Sequence, residues 1–226
     1  MNDSCPPNPE NYPTDCEVLA AMREKAGANE RRVAGQVYAP HLLARAAQIR
    51  LLLLDVDGVL TDGRLFYGGD GAEGKCFNTK DGFGLRLVRE LGIDTGVITA
   101  RESAMVTRRA RELAMRFVYQ KAPKKLDAYR QILAESGLKP FQVAYMGDDW
   151  LDLSLLTQVG LAMAPADAAP EVAAVVHYLT PRLGGHGAVR DACDLLVAAS
   201  GQLAALVQRY KNQEADKITR PGEIHD

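Results

Sequence analysis

Leu51-Leu52-Leu53-Leu54-Asp55-Val56-Asp57-Gly58-Val59-Leu60-Thr61-Asp62-Gly63 is an apolar run that breaks on two acids and a glycine. The run is far shorter than the roughly 20 residues that cross a membrane, and it suits a strand buried on both faces. Asp-Gly at its end reads as the turn into a loop. In a parallel sheet that carboxyl edge is where ligands bind. Strand alternation would send Asp55 and Asp57 the same way, but the loop after Asp55 can aim them at one phosphate from two sides. Isolated Asp-x-Asp-Gly sequences are mostly solvated turns, so the meaning of this one depends on what the rest of the chain brings to the same edge.

Outward from this strand, apolar strands alternate with helical periodicity to about Ser200. A short helix with Leu42, Leu43 and Ala46 precedes it, and the later strands read as 93–99, 117–119, 142–146, 161–164 and 175–179. Between them Leu85, Val88 and Leu91 stop at Gly92. Val106, Ala110 and Leu113 repeat the spacing, and Pro123 opens a third helix that ends at Gly137. This order predicts an α/β fold, a doubly wound, Rossmann-like parallel sheet with helices on both faces. One stretch departs from the alternation: Arg64–Tyr67 and Lys75–Asn78 flank Gly68-Gly69-Asp70-Gly71 and read as an inserted β-hairpin.

Composition sets the wider bounds. A chain of 226 residues, 47% hydrophobic and 25% charged, has material for one well-buried core. Residues 1–40, with Pro6, Pro7, Pro9 and Pro13, read as a loosely ordered extension, 41–200 as the principal domain, and 201–226 as a polar tail. A net charge of −2 gives no general attraction to nucleic acid or anionic membranes and favours a small-molecule partner. Cys5, Cys16, Cys76 and Cys193 lack zinc or disulfide-framework spacing, and no basic-then-apolar leader opens the chain, so a cytoplasmic protein is expected.

Three further groups fall on the same predicted edge. Thr99 ends the strand Val97-Ile98-Thr99 and offers a hydroxyl. Lys124-Lys125 starts the helix after Pro123, where a lysine can offset the charge of both Asp55 and a phosphoryl group. Gly147-Asp148-Asp149-Trp150-Leu151-Asp152 again sets acids directly after an apolar strand, suited to a hard cation or, for Asp149, to capping the next helix. Together the four groups are much more specific than any one of them.

Together they resemble the haloacid dehalogenase superfamily, whose four motifs match Asp55-Val56-Asp57-Gly58-Val59, Thr99, Lys125 and Gly147-Asp148-Asp149 over roughly residues 42–200. The intervals Asp57–Thr99 and Thr99–Lys125 leave no room for a cap domain, which points to the capless subclass. Phe77-Asn78-x-x-Asp81-Gly82, Tyr119-Gln120 and Gly184-Gly185-x-Gly187-Ala188-Val189-Arg190 extend the resemblance. Ala100 stands where the second motif more often has glycine, and His186 where close relatives often carry arginine.

The resemblance implies a Mg²⁺-dependent phosphomonoesterase. Asp55 would be the nucleophile and Asp57 the acid and base, with Thr99 and Lys125 beside the phosphate. The metal would be held by Asp55, Asp148 and the main-chain carbonyl of Asp57, supported by Asp149 and Asp152. It further implies an eight-carbon acid sugar phosphate as substrate, in the making of the lipopolysaccharide inner core, and a homotetramer assembled through the hairpins. Arg101, Arg109, Lys125, Gly185 and His186 are the candidate substrate contacts. Alternatives are a nine-carbon acid sugar 9-phosphate, disfavoured because Arg101 then tends to be an acid, or a non-catalytic oligomerisation module. A phosphorylation receiver domain uses similar groups but would need its acceptor on a later strand than the acid pair.

Overall fold

The computed structural model describes residues 38–69 and 73–218, with side chains to 212. The predicted N-terminal extension therefore lies almost wholly outside the described residues, as does the hairpin tip at Asp70 and Gly71. Six parallel strands form one sheet: β1 (Leu51–Leu54), β4 (Asp94–Ile98), β5 (Phe117–Tyr119), β6 (Val143–Met146), β7 (Leu161–Ala164) and β8 (Tyr178–Leu179), in the order β5-β4-β1-β6-β7-β8. Strand β1 is central, with Leu54 paired in register to Val97 on one side and to Met146 on the other.

All four β1 leucines are fully buried because each sheet face is covered. Leu51 and Leu53 join a core with Tyr129 and Ile132 of α4 (Lys125–Ser136) and Leu155 of α5 (Leu153–Leu156). Leu52 and Leu54 alternate to the opposite face. That side carries α1 (Pro40–Ala46), α2 (Thr79–Glu90) and α7 (Ala188–Ala199), packed on one another through residues such as Leu85, Val88 and Leu196. Two further helices complete the alternation, α3 (Ala104–Glu112) and α6 (Pro170–Ala173), and no cap domain interrupts it among the described residues. No helix among the described residues is long and apolar enough to cross a membrane.

Several local expectations shift. The hairpin exists, but its strands are β2 (Phe66–Tyr67) and β3 (Glu73–Gly74), not 64–67 and 75–78, because Lys75 turns inward and leaves the ladder. The last sheet strand begins at Tyr178, since Val172 and Val175 belong to the turn of α6 and its exit. Helix α4 starts at Lys125, two residues after Pro123. The segment read as a polar tail contains α8 (Leu203–Ile218), docked by the buried Leu206 and by Tyr210, whose hydroxyl donates to Glu90 at 2.7 Å and whose ring meets Phe83 edge-on. Its apolar positions are sparse, which is why the sequence reads as polar.

Because Leu53 lies in the core under the site, Leu53→Ala is expected to lower stability by about 2–5 kcal/mol. A urea unfolding midpoint within error of the parent protein would show that this core is not packed as described.

Candidate active site

The site forms where β1, β4 and β6 end side by side. After β1 the chain makes a tight turn: Val59, Leu60 and Thr61 donate their amides to Val56 O at 2.9–3.3 Å, and Val56, Val59 and Leu60 are buried beneath it. The apolar residues anchor the loop and leave Asp55 and Asp57 at its surface. Gly58 lies at φ +89°, and a Cβ there would collide with the Asp148 carboxylate. Only glycine allows the Asp55 loop and the Asp148 loop to approach this closely.

Lys125 is the hub. Its side chain is 2% exposed, and its ammonium lies 2.7 Å from Asp55 Oδ2 and 2.6 Å from Asp152 Oδ1. The Tyr145 hydroxyl donates to the same Asp152 oxygen at 2.5 Å. Asp152 Oδ2 accepts from the amides of Asp148 and Asp149 at 3.0 and 3.2 Å, so its carboxylate holds the loop in place. Asp149 is exposed and caps the turn that follows, accepting from Trp150 N at 2.7 Å. Asp148 is different: its Oδ1 is buried with no hydrogen-bond partner.

Among the described residues, Asp55, Asp148 and Asp152 offer carboxylate oxygens within 4.8 Å of one another. Burial raises the Asp55 carboxyl to about 6 despite the pull of Lys125. Burial, reinforced by Asp55 and Asp152, raises Asp148 to about 7. Burial opposes the charge on Lys125, but Asp55 and Asp152 hold it above its ordinary value. Three carboxylates against one ammonium leave surplus negative charge around a buried oxygen with no hydrogen-bond partner, a donor set that fits a hard divalent cation.

Asp57 does not join this cluster through its side chain. Its Oδ1 pairs with the ammonium of Lys75, and Arg101 Nε lies 3.8 Å from its Oδ2. Thr99 is buried at the end of β4, where its hydroxyl accepts from Arg101 N at 3.3 Å. Gln120 accepts from Ser103 N at 2.7 Å and pins the start of α3. Arg101 therefore lies in the loop before α3 and not on the helix. Arg109 is on α3 but faces elsewhere: it donates to Asn78 O at 3.3 Å and lines a hollow with Arg86, Arg89 and Glu112, in which no motif acid takes part. Gly185, at φ +67°, packs on the Asp55 loop, donating to Val59 O at 3.0 Å and accepting from Asn78 Nδ2 at 3.2 Å. His186 beside it is exposed.

Two participants escaped the sequence reading. Tyr145 was hidden inside an apolar strand. Lys75 sat in what reads as a strand arm, and a single lysine in a half-polar run gives no signal of burial.

Residues 88–189 match a family described as haloacid dehalogenase-like hydrolase. The 3-deoxy-D-manno-octulosonate 8-phosphate phosphatase of Yersinia pestis is 44% identical over 165 residues, covering 73% of this chain and 88% of the relative. The corresponding phosphatase of Salmonella typhimurium is 42% identical over 179 residues, covering 79% and 95%. The chain belongs to the haloacid dehalogenase-like hydrolases. Among solved structures it is similar to the 3-deoxy-D-manno-octulosonate 8-phosphate phosphatase of Moraxella catarrhalis, in complex with magnesium, phosphate and the octulosonate. That match has a TM-score of 0.75 and 35% identity, covering 76% of this chain and 99% of that one.

The raised carboxyls give a signed expectation. Asp55 and Asp148 hold protons in the fold to about 6 and 7, above the unfolded value near 3.8, so stability of the metal-free protein falls as pH rises from about 4 toward 7. Asp148→Asn should flatten that fall and abolish the rise in melting temperature on adding Mg²⁺ at pH 7.5. Unchanged metal stabilisation in this variant would remove Asp148 from the cation site.

Proposed function

We propose that this chain hydrolyses 3-deoxy-D-manno-octulosonate 8-phosphate to the free sugar acid and phosphate, through an aspartyl-phosphate on Asp55. The observation that carries the reading is the Asp55–Lys125–Asp152 array beside the buried, unpartnered Asp148 oxygen, on a chain 44% identical to a phosphatase of that name. Asp55 and Asp148 would hold Mg²⁺ through carboxylate oxygens, with the main-chain carbonyl of Asp57 as a further ligand, and the cation would offset the charge that otherwise keeps a carboxylate and a phosphate dianion apart.

Asp55 Oδ forms the bond to phosphorus as the ester P–O bond breaks, and Lys125 holds that carboxylate in line while offsetting its charge. The leaving sugar oxygen takes the proton of Asp57. Water then attacks phosphorus, giving its proton to Asp57, and the P–O bond to Asp55 breaks to restore the enzyme. Thr99 supports the phosphate oxygens, and Arg101 at the mouth offers a cation to the sugar carboxylate. Gly185 and His186 lie on the segment that packs against the Asp55 loop, and we read His186 as reaching substrate from its exposed position. Arg109 has no part in this scheme.

The hairpin exposes Phe66 and Tyr67 by 69% and 63%, an open apolar edge that supports assembly through hairpins into a homotetramer. The proposed setting is the bacterial cytoplasm, in the supply of sugar for lipopolysaccharide.

Asp55→Asn should fold, by circular dichroism, yet lose at least a thousandfold in kcat, about 4 kcal/mol of barrier. Mg²⁺ with the eight-carbon ester should give the highest kcat/KM in a panel that includes nine-carbon acid sugar 9-phosphates and neutral sugar phosphates. Excess chelator should abolish it. Activity of Asp55→Asn within about tenfold of the parent would remove covalent catalysis from the account, and preference for a neutral sugar would remove the acid-sugar assignment.

A further inference from the structure

Lys75 follows β3 directly, and its side chain is only 1% exposed. An ammonium buried this far is costly unless it is paired. It pairs with Asp57 Oδ1 and lies 3.4 Å from Glu73 Oε1. A second cation lies near the other oxygen of Asp57. Arg101 Nε stands 3.8 Å from Asp57 Oδ2, while its Nη2 is 3.5 Å from the same Glu73 oxygen and 3.3 Å from the Tyr67 hydroxyl. Tyr67 and Glu73 are partners across the two strands of the hairpin. The hairpin, otherwise a surface insertion, thus delivers three side chains around one catalytic acid.

The two oxygens of Asp57 differ in consequence. Oδ1 is tied to Lys75, whereas Arg101 Nε at 3.8 Å is past hydrogen-bonding reach of Oδ2. An aspartate on a loop, with staggered wells open to it, has no fixed aim of its own. The tie to a buried and therefore immobile ammonium selects one aim and leaves the second oxygen to carry the proton. Glu73 keeps Lys75 in position, because it shares the ammonium without competing for Asp57.

We propose that Lys75 is a positioning residue for the proton donor: held by Glu73 of the hairpin, it fixes the Asp57 carboxyl toward the leaving oxygen. The inference rests on the reading of Asp57 as acid to the leaving group. It makes the hairpin part of the catalytic apparatus within its own subunit, independent of any assembly through its outer edge.

The test is the dependence of kcat/KM on the leaving group, because this parameter reports the steps through departure of the ester oxygen. p-Nitrophenolate leaves without help, whereas an alkoxide needs the proton. Lys75→Met keeps length without charge, and Lys75→Gln keeps a donor; circular dichroism and thermal unfolding establish that at least one is folded. Relative to the parent, the folded variant should lose at least tenfold more on the sugar phosphate than on p-nitrophenyl phosphate. Asp57→Asn should show the same discrimination more strongly, and the double variant should be no worse than Asp57→Asn alone. Equal losses on both esters, or additive losses in the double variant, beside an Asp57→Asn enzyme that does discriminate, would overturn the positioning role alone. An Asp57→Asn enzyme that does not discriminate would overturn the reading of Asp57 and the role of Lys75 with it.

Discussion

A single buried ammonium organises this molecule's chemistry. Lys125 holds Asp55 at 2.7 Å and Asp152 at 2.6 Å, and without it three carboxylates would crowd one apolar-floored pocket with nothing to offset them. The arrangement is a compromise. Removing either acid would leave a buried charge partly unpaired, at a cost of about 3–5 kcal/mol. With both in place, Asp152 uses its second oxygen on the amides of Asp148 and Asp149, so the same ion array that restrains Asp55 also shapes the loop that presents Asp148.

That lysine can act only because the sheet brings distant stretches of sequence together. Strand β1 lies between β4 and β6, and the parallel register carries the ends of all three to one edge. Asp55, Thr99 and Asp148 come from those three ends, and α4 enters above them with Lys125 in its first turn. Gly58 then removes the one side-chain atom that would hold the first and last loops apart. The hairpin and the segment around Gly185 are placed differently: both lean on the Asp55 loop from outside the sheet.

The parts legible in the sequence were those with a strong local signal. β5 and β7 are short apolar runs whose limits agree with the structure to the residue, whereas β1 ends at Leu54 and not at Val56, because the chain turns at Asp55. The acids after β1 and β6 were legible because they fall with Thr99 and Lys125 on one predicted sheet edge, not from either pair alone. Lys125 could be preferred over Lys124 only through family resemblance, and the structure agrees: one is buried, the other exposed. What escaped depended on long-range packing. Lys75 becomes buried because Asp57, eighteen residues earlier, is there to receive it. Tyr145 is an apolar strand residue until its hydroxyl meets Asp152. Arg101 and Arg109 were both candidate substrate contacts, yet α3 starts only after Ser103, so Arg101 turns from the loop toward Asp57 while Arg109 on the helix faces Asn78. Helix α8 was missed because a few contacts, chiefly Leu206 and Tyr210, dock an otherwise polar segment.

The central claim is that Asp55 carries the phosphoryl group, and trapping that species tests it most directly. The enzyme, with Mg²⁺ and excess sugar phosphate, would be quenched in acid during turnover, reduced with borohydride, and digested for mass spectrometry. An acyl-phosphate on an aspartate is reduced to homoserine. Homoserine at position 55, absent when substrate is omitted, is the expected result; conversion at another acid, or none while phosphate is being released, would contradict the account.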